Sequence, residues 1–445
     1  MRSRGGRAGV ADVENGLQLK GKVIAMTRLS KLTSRLSAET AFTVLARARA
    51  LKAGGKDVVE LEIGDSPFPS TPAAKAAGIR AIEENRTGYG PSLGLPELRA
   101  AAANAVRTEF GIDARAENIV VASGAKPFEQ YFAEAFLDPG DGVLIFSPHF
   151  PTYEPNLERR GARAVLAPLR AEDDFRPTAD AVKAFLEHDP RPRAIFLNSP
   201  HNPTGGVATR EDLAAIANLV RGTDVVIFSD EPYCHMLWSG THASIAAEPG
   251  MLAQTVAAYT FSKSYSMSGW RVGFAVADPR VVETIGLLIN TTASCSPPFV
   301  QIAAAAALEH DHATRDEYMA RFRRKVERLS TGLARIDGVK VRQPAGTFYV
   351  FPGVHAICDR LRITSHGLAL YLLEAADDRF GVACLGGECF GAAGAGFLRF
   401  SCAEDDARID QALEFLPRAL DRVDRVKSFL DQNPQFKLAR PYGAA

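Results

Sequence analysis

The stretch Thr255–Gly273, TVAAYTFSKSYSMSGWRVG, carries the reading of the fold. It opens as a short apolar and β-branched run fit for a buried strand. The chain then turns through hydroxyl-bearing residues around Lys263 and enters a second such run, Val272–Val276. Four similar runs come earlier: Asn118–Ala122, Gly142–Phe146, Arg193–Asn198 and Val225–Asp230. Segments of helical composition such as Arg210–Arg221 separate them. Short strands alternating with helices predict an α/β fold with a mostly parallel sheet covered by helices on both faces.

Upstream, Ser37–Pro72 (SAETAFTVLARARALKAGGKDVVELEIGDSPFPSTP) reads as a helix closed by Gly54-Gly55, a short strand and a Gly/Pro-rich loop. From about Asp337 the spacing widens toward α+β. The expected organisation is therefore a partly flexible arm over 1–36 and a large cofactor-binding domain over 71–330. A smaller α+β domain is built from 37–70 and 331–430, with 431–445 as a tail, and the closing stretch DRVDRVKSFLDQNPQFKLARPYGAA from Asp421 reads as a surface helix plus a flexible terminus.

The 445 residues hold 52 basic and 52 acidic side chains, a balance that argues against a nucleic-acid protein or a polybasic membrane clamp and for a small neutral or zwitterionic partner. The six cysteines form no C-x-x-C pair, which suggests a reducing compartment. Neither a secretory signal nor an 18-residue apolar span is visible, so a cytoplasmic protein is expected.

Open α/β sheets bind ligands at the carboxyl ends of their strands. Four polar clusters fall there: SGAK (Ser123–Lys126), NSPHNPTGG (Asn198–Gly206), SDEPY (Ser229–Tyr233) and TFSK (Thr260–Lys263). Lys263 emerges from a buried run close to Arg271, and desolvation with a neighbouring cation lowers an amine's pKa toward the neutral form that condenses with an aldehyde. Arg271 with the hydroxyls of Thr260 and Ser262 suits a phosphate, and SGAK can add free amides at a helix start. Asp230 ends an apolar strand, where a carboxylate calls for a cation such as a protonated pyridine nitrogen. Tyr233 and Asn202 offer donors to a phenolate oxygen. Read singly, each cluster also admits a structural role: a surface lysine, a capped turn, a salt-bridged aspartate. Aldehyde, phosphate, pyridinium and phenolate on one small molecule describe pyridoxal 5′-phosphate.

In order along the chain, IGDSPFPSTP, GYGPSLGLPELR, SGAKP, SPHFPTY, NPTGG, SDEPY, SKSYSMSGWRVGF, PAGTFYVFP and GFLRFSCA resemble the class I/II aminotransferases, members of the aspartate aminotransferase superfamily of fold-type I pyridoxal-phosphate enzymes. The resemblance spans roughly Ser37 to Leu420. It implies that Lys263 forms the Schiff base and shuttles the proton between Cα and C4′, that Asp230 pairs with the pyridine nitrogen, and that Tyr233 and Asn202 hold the ring hydroxyl. It further implies that Phe150 stacks on the ring and that Ala125, Lys126, Thr260, Ser262 and Arg271 cup the phosphate. Tyr89 matches a tyrosine that reaches the neighbouring subunit's phosphate, which implies a homodimer. Arg399 matches the grip on the substrate α-carboxylate, and Gly64 a backbone lying over the substrate.

Two segments depart from the family pattern, Gly64–Phe68 and Gly386-Gly387, and both line the substrate side in the family. Asp65 is thereby a candidate for facing an amine or hydroxyl of an unusual substrate. The implied activity is amino transfer between an L-amino acid and a 2-oxo acid by a ping-pong route. The alternative is another pyridoxal-phosphate reaction, such as elimination, replacement, cyclisation or oxidase-like chemistry in specialised biosynthesis. A cofactor-sensing regulator is not expected, since no helix-turn-helix pattern precedes Ser37. His201 and His235 lie beside the clusters, with tuning and packing roles both open. His310-Asp311-His312 sits in a segment, AALEHDHATRDEY, that reads as a helix and its continuation, and no metal site is expected there.

Overall fold

The computed structural model describes residues 17–19, 22–24, 28–34, 36 and 39–442, so the arm expected over 1–36 lies mostly outside the described residues. Within it, β1 (Leu17–Leu19) and β2 (Lys22–Ile24) pair as an antiparallel ribbon. From Glu39 on, the chain forms one compact unit.

That unit begins with α1 (Thr40–Ala53), which stops where the Gly54 amide bonds back to Ala50 and Gly55 takes a φ of 90°. β3 (Asp57–Glu60), α2 (Pro72–Glu83) and α3 (Pro96–Phe110) follow, the last two each opened by a proline whose missing N–H costs nothing at that position. Seven strands then build the central sheet: β4 (Ile119–Ala122), β5 (Gly142–Ser147), β6 (Arg163–Pro168), β7 (Pro192–Asn198), β8 (Val226–Asp230), β9 (Thr255–Thr260) and β10 (Gly273–Val276), in the order β4-β10-β9-β8-β7-β5-β6. All are parallel except β10, which runs antiparallel to both β9 and β4. β4, β7, β8 and β9 therefore end on the same side. Asn198 is in register with Asp230, and Thr260 and Ala122 both face Gly273.

The six expected strands are present within a residue or two at each end. β6 is the one the sequence reading omitted. It lies at the sheet edge, four of its six residues are exposed, and it ends in a proline that an edge tolerates. Elsewhere the period of two is clean. Val120, Ile145, Phe196, Phe228 and Val256 pack against α4 (Lys126–Phe136), α5 (Tyr153–Arg160) and α8 (Pro279–Ala293), while their neighbours Val121, Leu144, Ile195, Ile227 and Tyr259 face the opposite layer. That layer includes α3, α6 (Ala179–His188), α7 (Arg210–Val220) and α9 (Pro298–His310).

α10 (His312–Leu333) leads into a three-stranded antiparallel sheet of β11 (Tyr349–Val350), β14 (Leu398–Ser401) and β13 (Leu385–Gly386), accompanied by α11 (His355–Leu361), α12 (Ser365–Glu374) and α13 (Asp406–Leu420). β12 (Phe380–Ala383) pairs in parallel with β3, joining the early segment to the late one.

Two local expectations are corrected. AALEHDHATRDEY is not one continuous helix, because Asp311 separates α9 from α10. Its carboxylate turns away to accept the Ala73 and Ala74 amides, 3.0 Å each, at the start of α2, where helix donors lack internal partners. The tail is not a free terminus through Tyr442. α14 (Val423–Gln432) buries Val426, Phe429 and Leu430 at helical spacing, and Tyr442 then donates its hydroxyl to Glu388 at 2.9 Å. Residues 443–445 lie outside the described residues.

Candidate active site

The four polar clusters meet at the carboxyl ends of β4, β7, β8 and β9, around a cavity of about 520 Å³, a size typical of small-molecule sites. Every site residue named from the sequence lines it except Tyr89. Tyr89 is 93% exposed and does not line this cavity.

Asp230 forms the floor. It is buried, and the Tyr153 hydroxyl donates to it at 2.6 Å. Among the described residues no cation hydrogen-bonds to it, and burial pushes its carboxyl up to about 6. The adjacent Glu231 is by contrast fully served. It accepts from Ser229, Ser244 and Tyr259 at 2.6–2.7 Å and pairs with His242 at 2.7 Å, which pins the strand end carrying Asp230. A second buried acid, Glu129 of α4, also lines the cavity. It accepts from Thr152 at 2.6 Å and Asn156 at 2.9 Å, and burial together with Asp230 raises it to about 8.

Lys263 follows β9, and its Nζ donates to the Gly64 carbonyl at 2.6 Å. A Cβ at Gly64 would overlap the Tyr349 hydroxyl, so this backbone approaches the lysine only as glycine. The Tyr233 hydroxyl lies 3.2 Å from that of Tyr349. At the other end, Ala125 and Lys126 begin α4, where the first amides have no carbonyl one turn back. Arg271 crosses this opening with φ 55°, held by the carbonyls of Ser268 at 2.6 Å and Ser123 at 3.2 Å. Thr260 and Ser262 share a 2.9 Å hydrogen bond beside it. Gly124, at φ 97°, leaves room for Arg271, whose Nη2 a Cβ there would approach to 2.6 Å.

Arg399 comes from β14, is buried, and lies over the Tyr349 ring at 4.2 Å. It donates to Asn202 Oδ1 at 3.0 Å and to the Glu62 carbonyl at 2.5 Å, while its Nε has no partner. Both Glu62 carboxylate oxygens are also unpartnered, and burial raises that group to about 7. Phe150 lines the cavity with Lys126 Nζ 5.2 Å from its ring centroid, and Lys126 is ion-paired with Glu39.

Some expectations move. Gly386 and Gly387 pack tightly on His366 and Gly394 instead of lining the cavity. His201 is buried against Thr204 at 2.7 Å, and desolvation lowers its pKa to about 3. His235 bridges Ser264 and Glu109 at 2.9 and 2.7 Å. Neither histidine lines the cavity. Tyr153, Asn198 and Tyr349 were passed over, although each sits inside a quoted motif. Glu129 and Glu39 gave one signal at most, an acid on the apolar face of α4.

The donor set fits pyridoxal 5′-phosphate. A buried carboxylate without a cation stands at one end of the cavity, an arginine, hydroxyls and helix-start amides at the other, and a lysine amine between them. This combination on an α/β sheet defines a fold-type I pyridoxal-phosphate enzyme. Comparison with known proteins gives the family. The profile of "Aminotransferase class I and II" matches residues 56–416, and the chain belongs to that family. It is 34% identical over 401 residues to the probable aspartate/prephenate aminotransferase of Aquifex aeolicus, covering 89% of this chain and 99% of that one. It is 33% identical over 374 residues to the arginine–pyruvate transaminase of Pseudomonas aeruginosa, covering 84% and 93%. Aspartate aminotransferase from Thermus thermophilus with maleate superposes with a TM-score of 0.82 at 31% identity, covering 88% of this chain and all of that one (100%). The protein is a pyridoxal-phosphate-dependent aminotransferase.

Proposed function

We propose that this cavity transfers an amino group from an L-amino acid to a 2-oxo acid in two half-reactions, with residues 71–330 holding the cofactor and 37–70 with 331–430 forming a smaller domain on the substrate side. Bound pyridoxal 5′-phosphate supplies the aldehyde that takes the amino group and the ring that accepts the electron pair left when Cα–H breaks. The chain does the rest. Asp230, oriented by Tyr153, holds the pyridine nitrogen protonated. Tyr233 and the free amide of Asn202 donate to the ring hydroxyl oxygen, and Phe150 packs on the ring. Ala125, Lys126, Thr260, Ser262 and Arg271 hold the phosphate. Lys263 Nζ would hold the aldehyde group at rest and, when free, would be the amine placed to move the proton between Cα and C4′. Arg399 takes the α-carboxylate in its planar fork.

The observation that carries this reading is the convergence of Lys263, Asp230 and Arg399 on one cavity. The relatives are named for aspartate, prephenate, arginine and pyruvate, compounds that differ in side chain but share the carboxylate beside the reacting carbon. Arg399 grips that shared feature. The enzyme is further proposed to work as a homodimer, with Tyr89 reaching the neighbouring site. A cytoplasmic location is proposed because all six cysteines are free and no helix among the described residues is long and apolar enough to cross a membrane.

The test is the visible spectrum of the purified holoenzyme while L-amino acids are added singly, followed by pyruvate or 2-oxoglutarate. A band that bleaches with an amino acid and returns with an oxo acid is expected. A lasting shift that no oxo acid reverses would assign the cavity to elimination, replacement or ring-forming chemistry instead.

A further inference from the structure

With the donor amine at Lys263 and its α-carboxylate at Arg399, the donor side chain must occupy what remains of the cavity. The start of α1 and the loop after β3 supply that part: Glu39, Ala41, Phe42, Ile63 and Asp65. Ala41, Phe42 and Ile63 form an apolar wall, and Phe42 is 56% exposed at the rim. Such a wall suits a methylene stem.

Three charges stand around this wall. Lys126 is already ion-paired with Glu39, whose side chain is 14% exposed while that of Lys126 is 44% exposed. Asp65 is exposed, lines the cavity, and has no hydrogen-bond or ion-pair partner among the described residues. The balance leaves one negative charge uncompensated where the end of a donor side chain arrives. A donor carboxylate would have to displace Glu39 from Lys126 and then sit near Asp65. An ammonium or guanidinium group finds Asp65 free and loses nothing at Lys126.

We propose that Glu39 and Asp65 are specificity-determining residues that select an amino donor with a long apolar stem ending in a cation, and that Glu39 excludes dicarboxylic donors by occupying Lys126. The selection rests on the transaminase reading above and adds the substrate class to it. It works by repulsion as much as by attraction, as discrimination between similar ligands generally does.

The experiment compares L-lysine, L-norleucine and L-glutamate, which are similar in length and differ in terminal charge, as donors to the holoenzyme, by the rate of cofactor bleaching per unit concentration. The α-methyl analogues of lysine and glutamate are titrated in parallel. They cannot lose a Cα proton, so their spectral binding constants report the preference even if transamination itself fails. The expected order is lysine, norleucine, glutamate. Glu39→Gln should raise the glutamate-to-lysine ratio about tenfold or more, and Asp65→Asn should bring lysine down to the norleucine level. Melting temperature and cofactor content serve as folding controls for both partly exposed positions. Wild-type enzyme that takes glutamate or norleucine at least as well as lysine would overturn the proposal, as would an unchanged ratio in Glu39→Gln. Failure of every donor to bleach the band, with α-methyl-lysine still bound more tightly than α-methyl-glutamate, would remove the transaminase reading and keep the selectivity.

Discussion

Asp230 holds its proton more tightly in the folded chain than in the unfolded one, because burial raises its carboxyl from 3.8 to about 6. In the apoenzyme this is a cost that is absent below about pH 4, grows as pH rises through 6, and is fully present at pH 7. Asp230→Asn should therefore stabilise the apoenzyme at pH 7, by up to about 3 kcal/mol, and lose that advantage by pH 4. Denaturant unfolding of both apo forms at the two pH values measures it. The same variant should bind pyridoxal 5′-phosphate more weakly, because the ring nitrogen loses its counter-charge. Function is here maintained against stability, as a buried carboxylate awaiting a cation requires. Arg399→Lys tests the substrate end. A lysine has three N–H donors and no planar fork, so it cannot keep Asn202 and the Glu62 carbonyl and also give a donor carboxylate two parallel hydrogen bonds, and kcat/KM should fall about 100-fold for every donor alike. An effect confined to one donor would place Arg399 at the side chain instead. That Asp230, Lys263 and Arg399 belong to one cavity was legible in the sequence because a charged group at the end of, or within, an apolar run is costly unless something pairs with it. Glu39 was not, since its meaning depends on Lys126, 87 residues away, and on where α1 comes to rest.

Elements carry the site through their packing. α2 crosses α9 at Gly78, where a Cβ would fall 2.7 Å from the Trp270 ring. Trp270 in turn donates to Ser70 at 2.9 Å and immediately precedes Arg271. Gly78→Ala should cost about 1–3 kcal/mol as overpacking and also weaken cofactor binding, because the displaced indole drags Arg271. Unfolding and cofactor titration on one sample separate the two effects, and lost stability with unchanged cofactor affinity would break the link. A second tie joins α3, α10 and the lysine loop. Glu109 accepts from Arg315 at 2.9 Å and bonds His235, which holds Ser264 beside Lys263. Although burial opposes it, the His235 hydrogen bond and the Arg315 charge lower the Glu109 carboxyl to about 2. Its contribution is therefore present above about pH 4.5 and is lost as pH falls toward 2. Glu109→Gln should be the less stable protein at neutral pH and should converge on wild type in acid. The strands were legible because both faces of the central ones are apolar. β6 was missed because an edge strand needs apolar residues on few positions, and the break at Asp311 because a helix cap offered to another helix leaves no trace in its own segment.

At the scale of the whole molecule, Tyr89 stands out as 93% exposed, apolar in bulk, and absent from the cavity lining. Ile79 and Ile82 of α2 and Leu287 of α8 are also more than half exposed, and scattered apolar exposure of this kind is ordinary by itself. What singles out Tyr89 is the end of the cavity at Arg271, proposed above to hold the phosphate. Arg271 and Lys126 there are both exposed. If a second copy supplies Tyr89 to that end, two inactive variants must repair each other. Lys263→Ala keeps its tyrosine but has no amine, whereas Tyr89→Ala keeps its lysine but gives the partner nothing. In a mixed dimer, the site with Lys263 intact receives Tyr89 from the lysine-less partner and is complete, while the other site lacks both groups. Equal mixing with free exchange puts half of the dimers in the mixed form with one good site of two. Cofactor affinity of wild-type strength should then return at about a quarter of all sites. Recovery of that fraction requires a two-fold arrangement with shared sites. No recovery in a mixture shown to exchange subunits, or a Tyr89→Ala variant that already binds the cofactor at wild-type strength, would leave each chain serving its own cavity.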